Sequence, residues 1–92
     1  MYDQLTFETR EEDLRLRGCW DRVLSRVAGL VPPKMAERFL LTIQPDELRD
    51  GVAVIEVPSS FNSEWIRSRC LSELQEAISE EIGETVLVEL RV

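Results

Sequence analysis

The sequence predicts a small α+β domain. Helices cover one face of a three-stranded sheet, in the order helix, helix, strand, strand, helix, strand. Three observations carry this reading. Apolar residues from Trp20 to Val31 recur at steps of three and four, the spacing of one helix face. Asp50-Gly51 is a type I′ hairpin signal directly ahead of the apolar run Val52 to Val57. Val86, Val88, Leu90 and Val92 alternate with Leu87, Glu89 and Arg91, as in a strand that buries one face. Leu, Ile, Val and Phe make up 29 of the 92 residues, enough for one domain with a small core.

The elements follow in order. Met1 to Glu8 reads as a loose tail. Thr9 and Glu12 have capping-box spacing, so a helix can start near Arg10. Gly18 weakens that start and offers a second one, because glycine costs about 1 kcal/mol relative to alanine inside a helix. Pro32-Pro33 ends the first helix, and proline suits the first turn of the next, where its missing N–H has no partner anyway. The second helix is predicted from Pro33 or Lys34 to about Thr42, burying Met35, Phe39 and Leu40 or Ile43. Pro45 confines Asp46–Arg49 to an edge strand, because it cannot donate to a ladder. Val52 to Val57 returns from the hairpin as a mostly covered strand. Ser59 or Ser60 caps a third helix by accepting a first-turn N–H. That helix is predicted to run unbroken to Gly83, with Phe61, Trp65, Leu74 and Ile78 on one line. Thr85 to Val92 forms the last strand.

Composition narrows the function. The chain has no histidine, which removes the commonest general base and the commonest metal ligand. Cys19 and Cys70 lack the paired spacing of a zinc site and read as reduced thiols, with a disulfide open if their helices are neighbours. The four glycines are isolated, so there is no phosphate loop. The expectation is a non-enzymatic cytoplasmic domain with no cofactor, no metal, no catalytic residue and no membrane contact. Net charge is −7, and an acidic balance disfavours a domain whose main task is gripping a nucleic-acid backbone. The charge is uneven: residues 1–21 sum to −3, residues 22–70 to +1 and residues 71–92 to −5. Glu73, Glu76, Glu80, Glu81 and Glu84 read as a solvated helix face.

Local patterns then carry a family likeness. Cys19-Trp20-Asp21-Arg22-Val23-Leu24 resembles an opening Leu-Trp-x-x-x-Leu. Asp50-Gly51-Val52 with Val57-Pro58-Ser59-Ser60-Phe61 resembles a hairpin followed by Pro-x-x-Phe. Phe61-Asn62-Ser63-Glu64-Trp65-Ile66-Arg67 resembles Phe-x-x-x-Trp-[Val/Ile]-Arg, and Val88-Glu89-Leu90-Arg91-Val92 fits the end. In this order and spacing, residues 19–92 resemble the N-terminal domain of the bacterial replication initiator DnaA. Two positions depart from the pattern. Phe39-Leu40-Leu41 replaces an aromatic-Trp-Ile ending, and Met35 stands where some members show helicase an acidic residue.

The resemblance implies a KH-like fold and an interaction domain without catalysis. Its partners would be the replicative helicase, initiator regulators and further initiator copies. Residues 1–18 would be an N-terminal extension, ordered in part at most, and residues 19–92 the interaction domain. It further implies an excised domain rather than a stand-alone KH-like adaptor. Phe61, Lys34, Met35 and Glu37 become candidates for helicase or regulator binding. Phe61 can instead staple its own helix turn against Trp65. Trp20, Asp21 and Leu24 become candidates for self-association, with core packing the alternative for Trp20. From the residues themselves, Trp65 reads as core. Arg38, Arg67 and Arg69 offer weak single-stranded DNA contact, although a KH clamp would need a Gly-x-x-Gly loop that is absent here.

Overall fold

A computed structural model describes the backbone of residues 2–92 and the side chains from residue 11 onward. Helix α1 spans Tyr2–Ala28. It passes through Gly18 without interruption, so neither expected helix start is a backbone boundary. The loose tail expected over residues 1–8 is instead helical backbone from Tyr2 onward, and its side chains lie outside the described ones. A short helix α2, Pro33–Met35, begins at its proline and runs on into a wider π turn, Ala36–Leu40. The Leu41 N–H closes that turn on the Ala36 carbonyl at 3.1 Å. Strands β1 (Gln44–Arg49) and β2 (Val52–Glu56) form the predicted hairpin. Asp50 and Gly51 both hold the positive φ that a type I′ turn demands, 52° and 75°. Helices α3 (Ser60–Arg69) and α4 (Leu71–Ile82) precede β3 (Leu87–Arg91).

The sheet order is β1-β2-β3, with β1 antiparallel and β3 parallel to the central β2. The α+β class and the three-stranded sheet are as expected, with Pro45 on an edge strand beside a bulge. One correction concerns the third helix, which is two helices. Cys70 leaves helical geometry at φ −149°. The physical reason is phase. A residue four places on is rotated roughly 40° further around a straight helix, so apolar residues at Ile66, Leu74 and Ile78 would wind away from a single core. The break re-aims α4, and all three side chains are fully buried. Gly83 then stops α4 at φ 91°, the left-handed value of a C-terminal glycine.

A second correction concerns α2. The apolar stripe is Ala36, Phe39, Leu40 and Ile43, spaced as one helix face, while Met35 turns outward at 39% exposure. Size misleads here: the small alanine, not the larger methionine, sits on the inward phase.

The core lies between the sheet and helices α1 and α4. Leu16, Cys19, Trp20, Val23 and Val27 of α1 meet Leu74, Ala77, Ile78 and Ile82 of α4 over Leu48, Ala53, Ile55 and Leu90. Side-chain acceptors take individual donors along both sheet edges. The Leu48 N–H on β1 donates to Asp13 Oδ1 at 2.9 Å. On the β3 side, the Val86 N–H donates to Ser79 Oγ at 2.8 Å and the Val88 N–H to Gln75 Oε1 at 3.0 Å. Each of these occupied donors is withdrawn from pairing with another chain.

Candidate functional site

Helix α3 starts where Ser59 Oγ accepts the Asn62 N–H at 3.2 Å, the predicted cap. The side chain of Asn62 is held in turn by Ser59 at 2.9 Å and Thr42 at 3.5 Å. This fixes the first turn, and with it Phe61. Phe61 is 64% exposed. Its ring leans on Phe39 of the π turn, with centroids 5.7 Å apart and planes at 41°. Phe39 is buried and stacks on Trp65, at 4.5 Å and 10°. Phe61 therefore packs across elements on Phe39 and leaves most of its ring in water. Trp65 packs against the core, as expected, but stays half-buried.

A groove of about 340 Å³ adjoins this aromatic trio, lined by Leu30, Val31, Pro32, Met35, Trp65 and Arg69. Lys34, Glu37, Arg38 and Arg67 are exposed on the same helices. The Arg38 guanidinium lies 5.4 Å from the centre of the Phe39 ring. Arg67 Nε donates to Ser63 Oγ at 3.3 Å.

The remaining cations have other occupations. Arg22 pairs with Glu81 at 2.8 Å, and Arg26 with Glu80 and Glu76. The acidic end expected to be a solvated face thus partly zips α4 to α1. Hydrogen bonding to Arg26 holds the Glu80 carboxyl below its usual range, and Glu81 and Glu80 raise their arginine partners. Arg91 pairs with Asp46 and Glu56 across the sheet, and Arg49 with Glu47. Arg15 and Arg17 donate to backbone carbonyls of Ile82 and Asp46. Among the described residues, Lys34, Arg38, Arg67 and Arg69 have no carboxylate within ion-pair reach. All four lie on α2, its π turn or α3. Sequence reasoning missed both this sorting and the groove.

The self-association candidates separate. Trp20 is 7% exposed and belongs to the core, the alternative weighed for it. Asp21 is exposed, and Leu24 is half-buried against the core. The two cysteines are free and buried. Burial, with Glu73 second, pushes the Cys70 thiol up to about 11; burial, then Glu81, raises Cys19. Only the thiolate is nucleophilic, and a raised pKa keeps it scarce at neutral pH. Iodoacetamide is expected to label the native protein slowly at pH 7, faster as pH approaches 11, and at ordinary thiol rates in denaturant. Fast labelling of native protein at pH 7 would contradict the buried, high-pKa placement. Among the described residues, no cluster of three His, Cys, Asp or Glu is placed to hold a metal ion. No described helix is long and apolar enough to cross a membrane.

Fold and surface together define a small α+β domain that presents an exposed aromatic in cationic surroundings. Residues 17–80 match the family model of the DnaA N-terminal domain. Two relatives are similar over 77% of this chain: the chromosomal replication initiator protein DnaA of Aromatoleum aromaticum, 32% identical over 74 residues, and that of Leptothrix cholodnii, 31% identical over 75. The chain spans about 15% of the length of either relative. It belongs to the DnaA N-terminal domain family.

Proposed function

We propose that this domain is a non-catalytic, cytoplasmic docking module of a replication initiator. It binds the replicative helicase or initiator regulators through the face built by α2, the π turn and α3. The carrying observation is Phe61: a ring 64% exposed, held by a capped helix turn and backed by Phe39. A large aromatic in fixed position is the residue type that dominates interface energetics, because it buries much area at little entropic cost. Lys34, Met35 and Glu37 stand exposed on the adjoining helix and supply the rest of the contact. Self-association, which the family likeness also implies, has Asp21 and Leu24 available but not the buried Trp20. Weak contact with single-stranded DNA is the lesser reading, favoured by the unpaired Arg38, Arg67 and Arg69.

The test is Phe61→Ala, with binding to purified replicative helicase and thermal melting measured side by side. Loss of a hot-spot aromatic removes about 2 kcal/mol or more, roughly a thirtyfold weakening. Stability should fall by only about 1 kcal/mol, the order of one lost aromatic pair. Unchanged binding would refute the anchor, and a collapsed melting curve would return Phe61 to a structural role.

A further inference from the structure

We propose that the groove lined by Leu30, Val31, Pro32, Met35, Trp65 and Arg69 seats one bulky apolar side chain of an acidic partner segment, whose carboxylates meet Arg69 at its end. The inference rests on the docking reading above and names the chemistry that this face selects.

Two independent observations converge on it. The first is shape and polarity. The groove holds about 340 Å³; five of its six lining residues have apolar or aromatic side chains, and Arg69 is the one charged one. Leu30 on its rim is 62% exposed and Met35 is 39% exposed, so occupancy would remove apolar surface from water. Trp65 forms one wall and is braced from behind by its stack on Phe39, which leaves that wall rigid. A groove with apolar side chains and one charged group at its end fixes the orientation of a ligand.

The second is charge. The whole chain is −7, yet residues 30–42 and 60–70 carry four cations against two acids, Glu37 and Glu64. The ion-pair inventory sharpens this contrast. The described arginines of α1 and the sheet are engaged by carboxylates or carbonyls, while Lys34, Arg38, Arg67 and Arg69 are not. A local excess of unpaired cations on an acidic protein attracts an acidic segment and repels a basic one. Nucleic acid is the other anionic candidate. It fits less well because its charge continues past this face and meets the acidic remainder of the domain. One face of the Trp65 ring is also already taken by Phe39. A short acidic segment with a single apolar anchor matches both the slot and the limited reach of the positive field.

The experiment uses the 92-residue chain. The probe is a fluorescein-labelled synthetic peptide, rich in Asp and Glu, with one central Phe. Controls replace its acids by Lys or its Phe by Ala. Anisotropy titration is expected to show saturable binding of the acidic peptide, weakened by added salt. Leu30→Asp and Arg69→Glu should each weaken binding by about tenfold or more, as should either control peptide. Both substituted side chains are exposed, and melting curves should stay at the wild-type position. Equal binding of acidic and basic peptides, or insensitivity to both substitutions, would overturn the proposal. So would tighter binding of oligothymidylate than of the peptide, which would assign the face to nucleic acid. Helicase binding separates this inference from its parent. If Phe61→Ala abolishes helicase binding while Leu30→Asp and Arg69→Glu do not, the docking reading stands and the groove is overturned. If helicase ignores Phe61→Ala but the peptide still depends on Leu30 and Arg69, the groove stands and the helicase reading falls.

Discussion

A chain that begins at Cys19 is expected to lose cooperative folding. The family match starts at residue 17, and the motifs begin at Cys19, but the core does not. Leu16 is fully buried within it. Asp13 occupies the outward N–H of Leu48 at 2.9 Å, Arg15 donates to the Ile82 carbonyl at 2.7 Å, and Arg17 donates to the Asp46 carbonyl at 3.2 Å. The turn of α1 ahead of Gly18 therefore ties α4 and the β1 edge to the core. Removing a buried leucine alone costs about 2–5 kcal/mol. A domain of this size has a total stability of roughly 5–15 kcal/mol, and small cores sit at the low end. Truncation also frees the β1 edge to pair with other chains. Circular dichroism melting and gel filtration of the truncated chain check this. A broad transition and higher-order species are expected. A sharp transition within a few degrees of the full chain would show that residues 1–18 are dispensable to the fold.

The extent of α1 illustrates what was legible. Periodicity from Trp20 onward located the apolar face, because steps of three and four are unambiguous there. Leu16 continues that face four residues earlier, but Leu14, Arg15 and Arg17 blur the pattern around it. Turn chemistry was the most readable signal. Asp50-Gly51, the Ser59 cap and the Gly83 stop each rest on a backbone geometry that few residues satisfy. The break at Cys70 carried no such mark. A buried cysteine in place of proline or glycine gives no local warning, and only the phase drift from Ile66 to Ile78 implied it. The candidate site was half readable. Phe61 could be singled out, but its exposure depends on Phe39, twenty-two residues earlier in the sequence and brought to it by the π turn. The sorting of cations did have a trace in the sequence. Arg22 and Arg26 are four apart, as are Glu76 and Glu80, so two helices carry matching charged stripes that meet when packed side by side. The cations left over then mark the face that has no internal use for them.

Replacing Trp20 by alanine should unfold far more protein than it dissociates. Trp20 is 7% exposed and packs among Cys19, Val23 and the rest of the α1 face within the core. Truncating a buried tryptophan costs about 3–5 kcal/mol, from lost burial and from the cavity left behind. Each kcal/mol lowers the melting temperature of a domain of this length by roughly 4–8 °C, so a fall of at least about 12 °C is expected. Any loss of self-association in Trp20→Ala would then report the fold rather than a contact. Asp21→Arg is the informative partner variant, because Asp21 is exposed on the turn beside Trp20 and makes no described ion pair. If copies of this domain associate through this part of α1, sedimentation equilibrium should show Asp21→Arg shifting the monomer–dimer balance with the melting curve unmoved. If Asp21→Arg leaves association unchanged, the self-association surface lies elsewhere. A Trp20→Ala protein that melts near wild type would overturn the core placement and return the indole to the surface.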